Sequence, residues 1–114
     1  MPFINSKVTV KLDKSTEDLL KEKLGKAIEV IPGKSEAWLM VGFEDEYSLY
    51  FKGKRCEKAA FVEIKIFGSA PAASYDSMTE QVCKIYEEVL GIPGNQIYVK
   101  YEEVLNWGYD GHNF

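Results

Sequence analysis

The side chains that most often carry catalysis are scarce in this chain. Its 114 residues include one His and two Cys, so a zinc site of Cys and His cannot be assembled within one chain. His112 would have to serve any Ser–His or Cys–His scheme alone. A less usual candidate for acid–base chemistry is Pro2, the second residue of the sequence.

Pro2 gains basic chemistry only if Met1 is removed. A small second residue generally permits that removal, which leaves a prolyl secondary amine at the terminus. A proline nitrogen inside a chain belongs to an amide and cannot act as a base. An α-amino group titrates near pH 8, roughly, and a secondary amine is intrinsically more basic. The plainer interpretation is that Pro2 merely begins the chain, so Pro2 by itself indicates no function.

The first half of the chain is typical of a strand–helix–strand unit. Residues 3–12 alternate apolar and polar side chains, which predicts a strand with one buried face. Ser15 is the predicted N-cap of a helix whose apolar stripe covers residues 20–31 and stops at Pro32 and Gly33. The apolar run over residues 37–43 predicts the next strand.

The second half repeats this plan. Residues 59–67 alternate again and predict a strand, and an apolar stripe over residues 78–89 predicts an amphipathic helix. Gly91 is the C-cap candidate of that helix, and residues 97–101 predict another strand. A helix between two strands implies that the strands pair in parallel. The chain is therefore expected to contain a duplicated βαβ unit.

The two units predict an α+β fold in which residues 1–114 form a single domain. One four-stranded sheet carries both helices on the face of Val8, Val10, Val62, Ile64 and Ile66. The opposite face is polar but mixed, with Tyr98 among charged side chains. That face is either solvated or turned toward neighbouring subunits around a watery centre, and the sequence leaves both alternatives open. A short strand is expected at residues 48–51, between the halves.

Charge and composition exclude several kinds of partner. Fourteen Lys and Arg against 18 Asp and Glu give a net charge of −4, which argues against binding nucleic acid or an anionic membrane. The sequence contains neither an apolar run of membrane-spanning length nor a signal-peptide pattern, so a cytoplasmic location is expected. Cys83 is expected to be buried in the second helix and Cys56 to lie in a loop or at a strand edge. A disulfide between them is the less favoured interpretation.

Several motifs occur in an order that resembles a known family. They are Met1-Pro2-Phe3-Ile4, Gly33-Lys34, Ile64 with Gly68-Ser69-Ala70, Ser74-Tyr75, Ile97-Tyr98-Val99, and Asn106-Trp107-Gly108-Tyr109 with Phe114. Over essentially its whole length the chain resembles macrophage migration inhibitory factor and its homologues in the tautomerase superfamily. The resemblance implies a homotrimer in which three four-stranded sheets surround a central channel and active sites lie between adjacent subunits.

The same resemblance implies an activity. The expected reaction is keto–enol tautomerisation of small aromatic α-keto acids such as phenylpyruvate, without a metal or an organic cofactor. After the loss of Met1, Pro2 matches the catalytic proline that moves a proton between carbon and oxygen. Such a base needs a lowered pKa, which burial and nearby cations provide.

The other expected site residues are also carried over from the resemblance. Lys34 matches a substrate-binding lysine after the first helix, although a lysine there also suits the helix dipole. Ile64 matches a residue whose backbone contacts substrate, although it also suits a core strand. Tyr98 matches a tyrosine that lines the pocket from the neighbouring subunit. The remaining apolar walls and rim are expected from Phe3, Tyr109 and Phe114.

The chain departs from the family pattern at three places. Lys100 stands where the family founder has a pocket asparagine, so it either adds a cation to the pocket or points away and pairs with Glu63. A cation there would favour a doubly charged acidic substrate or lower the pKa of the base further. Cys56 has Ala59 where a second cysteine is expected, so thiol–disulfide activity does not carry over. Residues 44–55 fit the pattern poorly.

Two alternative functions stay open from the sequence. One is a cytokine-like signalling protein with a vestigial pocket, which would act on a protein receptor and be released without a signal peptide. The other is a different proline-based enzyme of the superfamily that acts on small carboxylic acids.

Overall fold

The computed structural model describes residues 1–114 and is built on one four-stranded mixed sheet. Along the chain the strands and helices are β1 (Pro2–Val8), α1 (Lys14–Ala27), β2 (Met40–Glu44), β3 (Tyr50–Phe51), β4 (Lys54–Arg55), β5 (Ala60–Phe67), α2 (Ala72–Leu90), β6 (Ile97–Val104), β7 (Gly108–Tyr109) and β8 (His112–Asn113). Single 3-10 turns span Ile28–Val30, Glu36–Trp38 and Gly94–Gln96.

The strand order in the main sheet is β2-β1-β5-β6. β1 pairs in parallel with β2, β5 pairs in parallel with β6, and the two units meet where β1 runs antiparallel to β5. The predicted duplicated βαβ architecture is therefore confirmed. β1 and β5 are the central strands, so the first residues of the chain are held on both sides by neighbouring strands.

Both helices contribute to one core on one face of the sheet. β1 and β5 show strict alternation of buried and partly buried residues, as a sheet covered on one face requires. The fully buried side chains of the core include Ile4, Val8, Val62, Ile64, Leu20, Leu24, Met78 and Val82. Val10 was expected on this face of the strand, but it lies beyond the end of β1 and is only partly buried.

β1 is shorter than the alternation predicts, because it ends at Val8 instead of continuing to residue 12. Beyond that point the Thr9 Oγ1 atom donates to the carbonyl of Glu57 at 2.8 Å, and the amide of Leu12 donates to the Asp45 carboxylate at 2.8 Å. The carbonyl of Glu57 and the amide of Leu12 thus form their hydrogen bonds with side chains, outside the ladder of the sheet. Leu12 is nevertheless buried, which explains why the apolar alternation runs past the strand.

The first helix begins two residues earlier than predicted, and its N-cap is Asp13, not Ser15. The Asp13 carboxylate accepts from the amide of Thr16 at 2.8 Å and from the Ser15 hydroxyl at 3.0 Å. The amide hydrogen bond, followed by those of the Thr16 and Ser15 side chains, lowers the pKa of Asp13. Ser15 therefore lies inside the first turn and supports the cap.

Two further boundaries differ from the prediction. The α-helix ends at Ala27 and tightens into the 3-10 turn Ile28–Val30 before Pro32 is reached. Residues 37–43 were expected to form one strand, but the 3-10 turn Glu36–Trp38 occupies the beginning of that segment and β2 starts only at Met40.

Two hairpins flank the main sheet. The short strand expected near residues 48–51 is present as β3, which pairs with β4 across a turn in which Lys52 and Gly53 have φ of 54° and 78°. Positive φ at both central residues gives the tight turn a twist that matches the two strands. β7 and β8 form the second hairpin, which the sequence indicated only as a segment rich in Gly and aromatics.

The remaining expectations concern the second helix and the cysteines. Gly91 caps α2 in the left-handed conformation with φ of 69°, as predicted. Cys56 and Cys83 are free thiols, and Cys83 is only partly buried, although full burial was expected. Neither helix combines the length and the apolar character that crossing a membrane requires.

A buried hydroxyl pair links β1 to α2. The Ser6 Oγ atom and the Tyr86 hydroxyl are hydrogen-bonded to one another, and both residues are fully buried. Ser6→Ala and Tyr86→Phe are each expected to lower the free energy of unfolding by about 1–3 kcal/mol, because each leaves a buried hydroxyl without its partner. The double variant should lose less than the sum of the two.

Urea unfolding at one fixed protein concentration measures these differences. Strictly additive effects of the two substitutions would show that the pair is not energetically coupled.

Candidate active site

The first residues of β1 form the floor of an open cleft of about 700 Å³. Pro2 is buried and lies opposite Ile66 of β5, while Phe3 lies between Met40 of β2 and Lys65 of β5. Nine of the 12 residues that line the cleft are hydrophobic. Pro2 is thus paired with β5 and borders an apolar space, and the next residue, Phe3, is held by strands on both sides.

Lys34 brings a positive charge to the chain terminus. Its Nζ atom donates to the carbonyl of Phe67 at 2.9 Å, and the amide of Phe67 donates to the carbonyl of Met1 at 2.9 Å. Burial, followed by the charge of Lys34 and its hydrogen bond, lowers the pKa of the Met1 amine from about 8.0. The environment at the start of β1 therefore favours the unprotonated amine, which is the form that can accept a proton.

Aromatic side chains of the C-terminal hairpin form the rim of the cleft. The Trp38 and Tyr109 rings meet edge to face with centroids 5.3 Å apart. Tyr109 stacks on Phe114 at 6.2 Å, and Phe114 contacts Phe67 at 5.8 Å. The amide of Phe114 donates to the carbonyl of Trp107 at 3.1 Å, which fixes the last residue beside the hairpin. Phe3 and Tyr109 therefore line the cleft together with Pro2 in one chain, and Phe114 packs against Tyr109 and Phe67.

Ile64 lies on the other side of the sheet from this apolar rim. Its side chain is fully buried in the core, and it pairs with Ile4 across β1 and β5. Within this chain the Ile64 side chain belongs to the core and does not line the cleft.

Tyr98 lies far from Pro2 within the same chain. In the register of the sheet, Tyr98 pairs with Phe61. Pro2 pairs with Ile66, which in turn pairs with Glu103, and Glu103 is five residues after Tyr98 on β6. At about 3.3 Å per residue this separation is roughly 16 Å. Tyr98 is 59% exposed and meets the Phe51 and Phe61 rings at 5.3 and 6.2 Å, beside a small apolar cavity of about 80 Å³.

Lys100 is exposed in the middle of β6 and does not border the cleft of Pro2. The sequence left two alternatives for Lys100, a cation in the pocket or an ion pair with Glu63 away from it. Although Glu63 is its register partner, the Lys100 Nζ atom binds the Glu102 carboxylate at 2.8 Å, and Glu63 pairs with Lys7 at 3.5 Å. The hydrogen bond and charge of Glu102 raise the pKa of Lys100.

Several lining residues of the cleft were not predicted from the sequence, and Trp38 and Lys65 are two of them whose aromatic or charged side chains bear on its chemistry. Trp38 was assigned to a strand, and only the 3-10 turn Glu36–Trp38 directs it to the cleft beside Tyr109. Lys65 belongs to the alternating strand predicted at residues 59–67. The alternation places Lys65 on the face opposite Ile64 and Ile66, but its pairing with Phe3 depends on the register of β1 on β5, which the sequence pattern does not give.

Comparisons with known proteins agree with this architecture. The family model described as macrophage migration inhibitory factor matches residues 1–114. The solved structure of Leishmania major MIF2 is 30% identical, with 100% of this chain and 97% of that chain covered and a TM-score of 0.92. A homologue of macrophage migration inhibitory factor from Prochlorococcus marinus is 31% identical, with 98% of both chains covered and a TM-score of 0.87.

A third solved structure, the macrophage migration inhibitory factor-like protein of Entamoeba histolytica, is 24% identical and has a TM-score of 0.87, with 99% of this chain and 98% of that chain covered. At that identity it shows the fold alone. No curated protein sequence matches the chain significantly. The family's fold, which the tautomerase superfamily shares, supports isomerase activity in general or a cytokine-like role. Because the family model covers the whole chain, the protein belongs to the macrophage migration inhibitory factor family.

Proposed function

We propose that the protein is a cofactor-independent keto–enol tautomerase of phenylpyruvate-like α-keto acids, with the amine of Pro2 as its base after removal of Met1. The observation that carries this proposal is the environment at the start of β1. There a buried residue borders an apolar cleft, and burial together with Lys34 lowers the pKa of the terminal amine.

The proposed chemistry needs one proton carrier and one cation. The neutral Pro2 nitrogen takes a proton from the carbon next to the keto group, and the electron pair of that bond moves to the carbonyl oxygen. The protonated amine then returns the proton to this oxygen, which completes the enol. Lys34 would bind the substrate carboxylate and stabilise the enolate charge that develops between the two proton transfers. The aromatic rim around Tyr109 would cover the ring of the substrate.

Loss of Met1 is part of this proposal. While Met1 is attached, the nitrogen of Pro2 is an amide nitrogen with no basic lone pair. Met1 also lines the cleft, so its removal would vacate space beside Pro2. Because Pro2 is buried and Met1 only partly so, the new amine would experience at least the desolvation that already acts on the Met1 amine.

Assembly into a homotrimer would complete the site. Tyr98 lies at the end of β6 away from Pro2, and Lys100 lies mid-strand outside the lining of the cleft, so a neighbouring subunit is the proposed source of both residues in the site. Exposed apolar side chains support such an assembly: Met40 is 71% exposed, Leu105 is 86% exposed and Tyr98 is 59% exposed. Apolar side chains exposed to this degree at sheet edges favour coverage by another chain. The backbone of Ile64 is proposed to remain available to substrate although its side chain is buried.

A second candidate function is that of a cytokine-like interaction protein. The observation that favours it is the exposed aromatic surface, since Trp38, Tyr109 and Phe114 are each more than half exposed. A molecule that retains Met1 would keep the fold and its exposed aromatic surface but lack the amine.

Replacement of Pro2 tests the enzymatic proposal. In protein shown by intact mass to lack Met1, Pro2→Gly is expected to lower kcat for phenylpyruvate enol–keto conversion at least about 100-fold, as the loss of a positioned base does. Far-UV circular dichroism and thermal unfolding check that the variant is folded. Equal rates for the processed wild type and the variant would overturn the enzymatic proposal.

Replacement of Lys34 tests how the pKa of the base is lowered. The rate should rise with pH as the Pro2 amine loses its proton, and a neighbouring cation moves that rise to lower pH. Lys34→Gln removes the cation, so the rise in kcat/KM should move to higher pH. Lys21→Gln, which changes the net charge equally at an exposed position of α1, should leave the profile in place. An unchanged midpoint in Lys34→Gln would remove Lys34 from this role.

A further inference from the structure

Lys65 is a second cationic group at the candidate active site. It lies opposite Phe3 in the β1–β5 register and lines the cleft, and it is partly buried. Its Nζ atom lies 6.0 Å from the centroid of the Phe3 ring. A cation over an aromatic ring at this distance is favourably held, which keeps the Lys65 amine at the wall of the cleft.

Lys65 forms no direct ion pair with a carboxylate. Its register partner on β6 is Glu102, but that carboxylate binds Lys100 at 2.8 Å. The hydrogen bond and charge of Lys100, and to a smaller extent the charge of Lys65, lower the pKa of Glu102. The other carboxylates on this face, Glu44 and Glu63, both pair with Lys7, at 3.8 and 3.5 Å. The cleft therefore contains an ammonium group whose neighbouring carboxylate is bound mainly to another lysine.

Lys65 lines the cleft, whereas Lys34 lies beside it, next to the Met1 amine. Lys34 is bound to the carbonyl of Phe67 at the end of β5, and Lys65 lies two residues before Phe67, which corresponds to about 7 Å along the strand. The walls of the cleft are apolar side chains, including Phe3, Trp38 and Tyr109. Two separated cations on an apolar surface match an aromatic molecule with two separated anionic groups.

We propose that Lys65 determines substrate specificity by binding a second carboxylate, so that the preferred substrates are aryl α-keto acids with a carboxylate on the ring. This inference rests on the proposed function, because it assumes that the same cleft holds the keto acid. In the preferred complex the keto-acid carboxylate lies at Lys34, the ring lies on the aromatic residues, and the ring carboxylate lies at Lys65.

Equilibrium binding tests the inference without turnover. The probes are 3-(4-carboxyphenyl)propanoate and its 3-carboxyphenyl isomer, which are dianions of two lengths, and 3-phenylpropanoate, which is the matched monoanion. Isothermal titration calorimetry on protein without Met1 should show that the better dianion binds about tenfold more tightly than the monoanion, as one additional charged hydrogen bond provides. Lys65→Gln should abolish this ratio, whereas Lys65→Arg should preserve it.

Lys21→Gln is the control for net charge, since it removes one exposed cation from α1 far in sequence from the cleft residues. It should leave the binding ratio at the wild-type value. An equal ratio in wild type and Lys65→Gln, or a wild-type protein that binds both dianions no better than the monoanion, would overturn the inference.

Kinetics then separate this inference from the proposed function. If kcat/KM for 4-carboxyphenylpyruvate exceeds that for phenylpyruvate in wild type and the excess vanishes in Lys65→Gln, both hold. Turnover of both substrates with a ratio that Lys65→Gln does not change refutes the specificity role alone. Absence of turnover in processed wild type, with the binding ratio and its loss intact, refutes the tautomerase and leaves Lys65 as an anion-binding residue.

Discussion

The pairing of β1 between β2 and β5 is the constraint on which the site depends. The first residues of most protein chains are poorly ordered, but here they form a central strand of the sheet. Pro2 is thereby buried, Phe3 is set between Met40 and Lys65, and the carbonyl of Met1 is held by the amide of Phe67. Because the terminus is fixed in this way, its amine experiences burial and a cation together, and its pKa falls.

The periodicity of the sequence predicted the main elements of the fold well. Alternation in two strands, two apolar helical stripes and the glycine cap at Gly91 all correspond to observed structure. The periodicity failed where a side-chain hydrogen bond determines the end of a strand or helix. Asp13, not Ser15, caps the first helix, and the Asp45 carboxylate accepts from the amide of Leu12 after the strand has ended. The pattern of apolar residues does not indicate which of two neighbouring polar residues makes the cap, or which distant carboxylate binds a given amide.

The candidate site was only partly predictable for a related reason. Pro2, Lys34 and the aromatic rim were expected from motifs, whereas Lys65 and Trp38 reach the cleft through strand register and a 3-10 turn. Tyr98 lies at the opposite end of β6 and Lys100 lies mid-strand outside the cleft, so one chain holds only part of the expected set. Lys100 also binds the Glu102 carboxylate, which leaves Lys65 without a direct ion pair. The charge pattern of the uncovered face thus bears on the chemistry of the cleft.

The central claim is that the environment of β1 keeps a terminal proline amine unprotonated at moderate pH, so that it can accept a proton. Nitrogen-15 NMR on protein without Met1, labelled at its four prolines, tests it directly, because only the Pro2 nitrogen would be an ionisable amine. The account predicts that this one signal titrates with a pKa below the ordinary value of an α-amino group, about 8. A midpoint at or above that value would contradict the account, because the amine would then be mostly protonated at neutral pH.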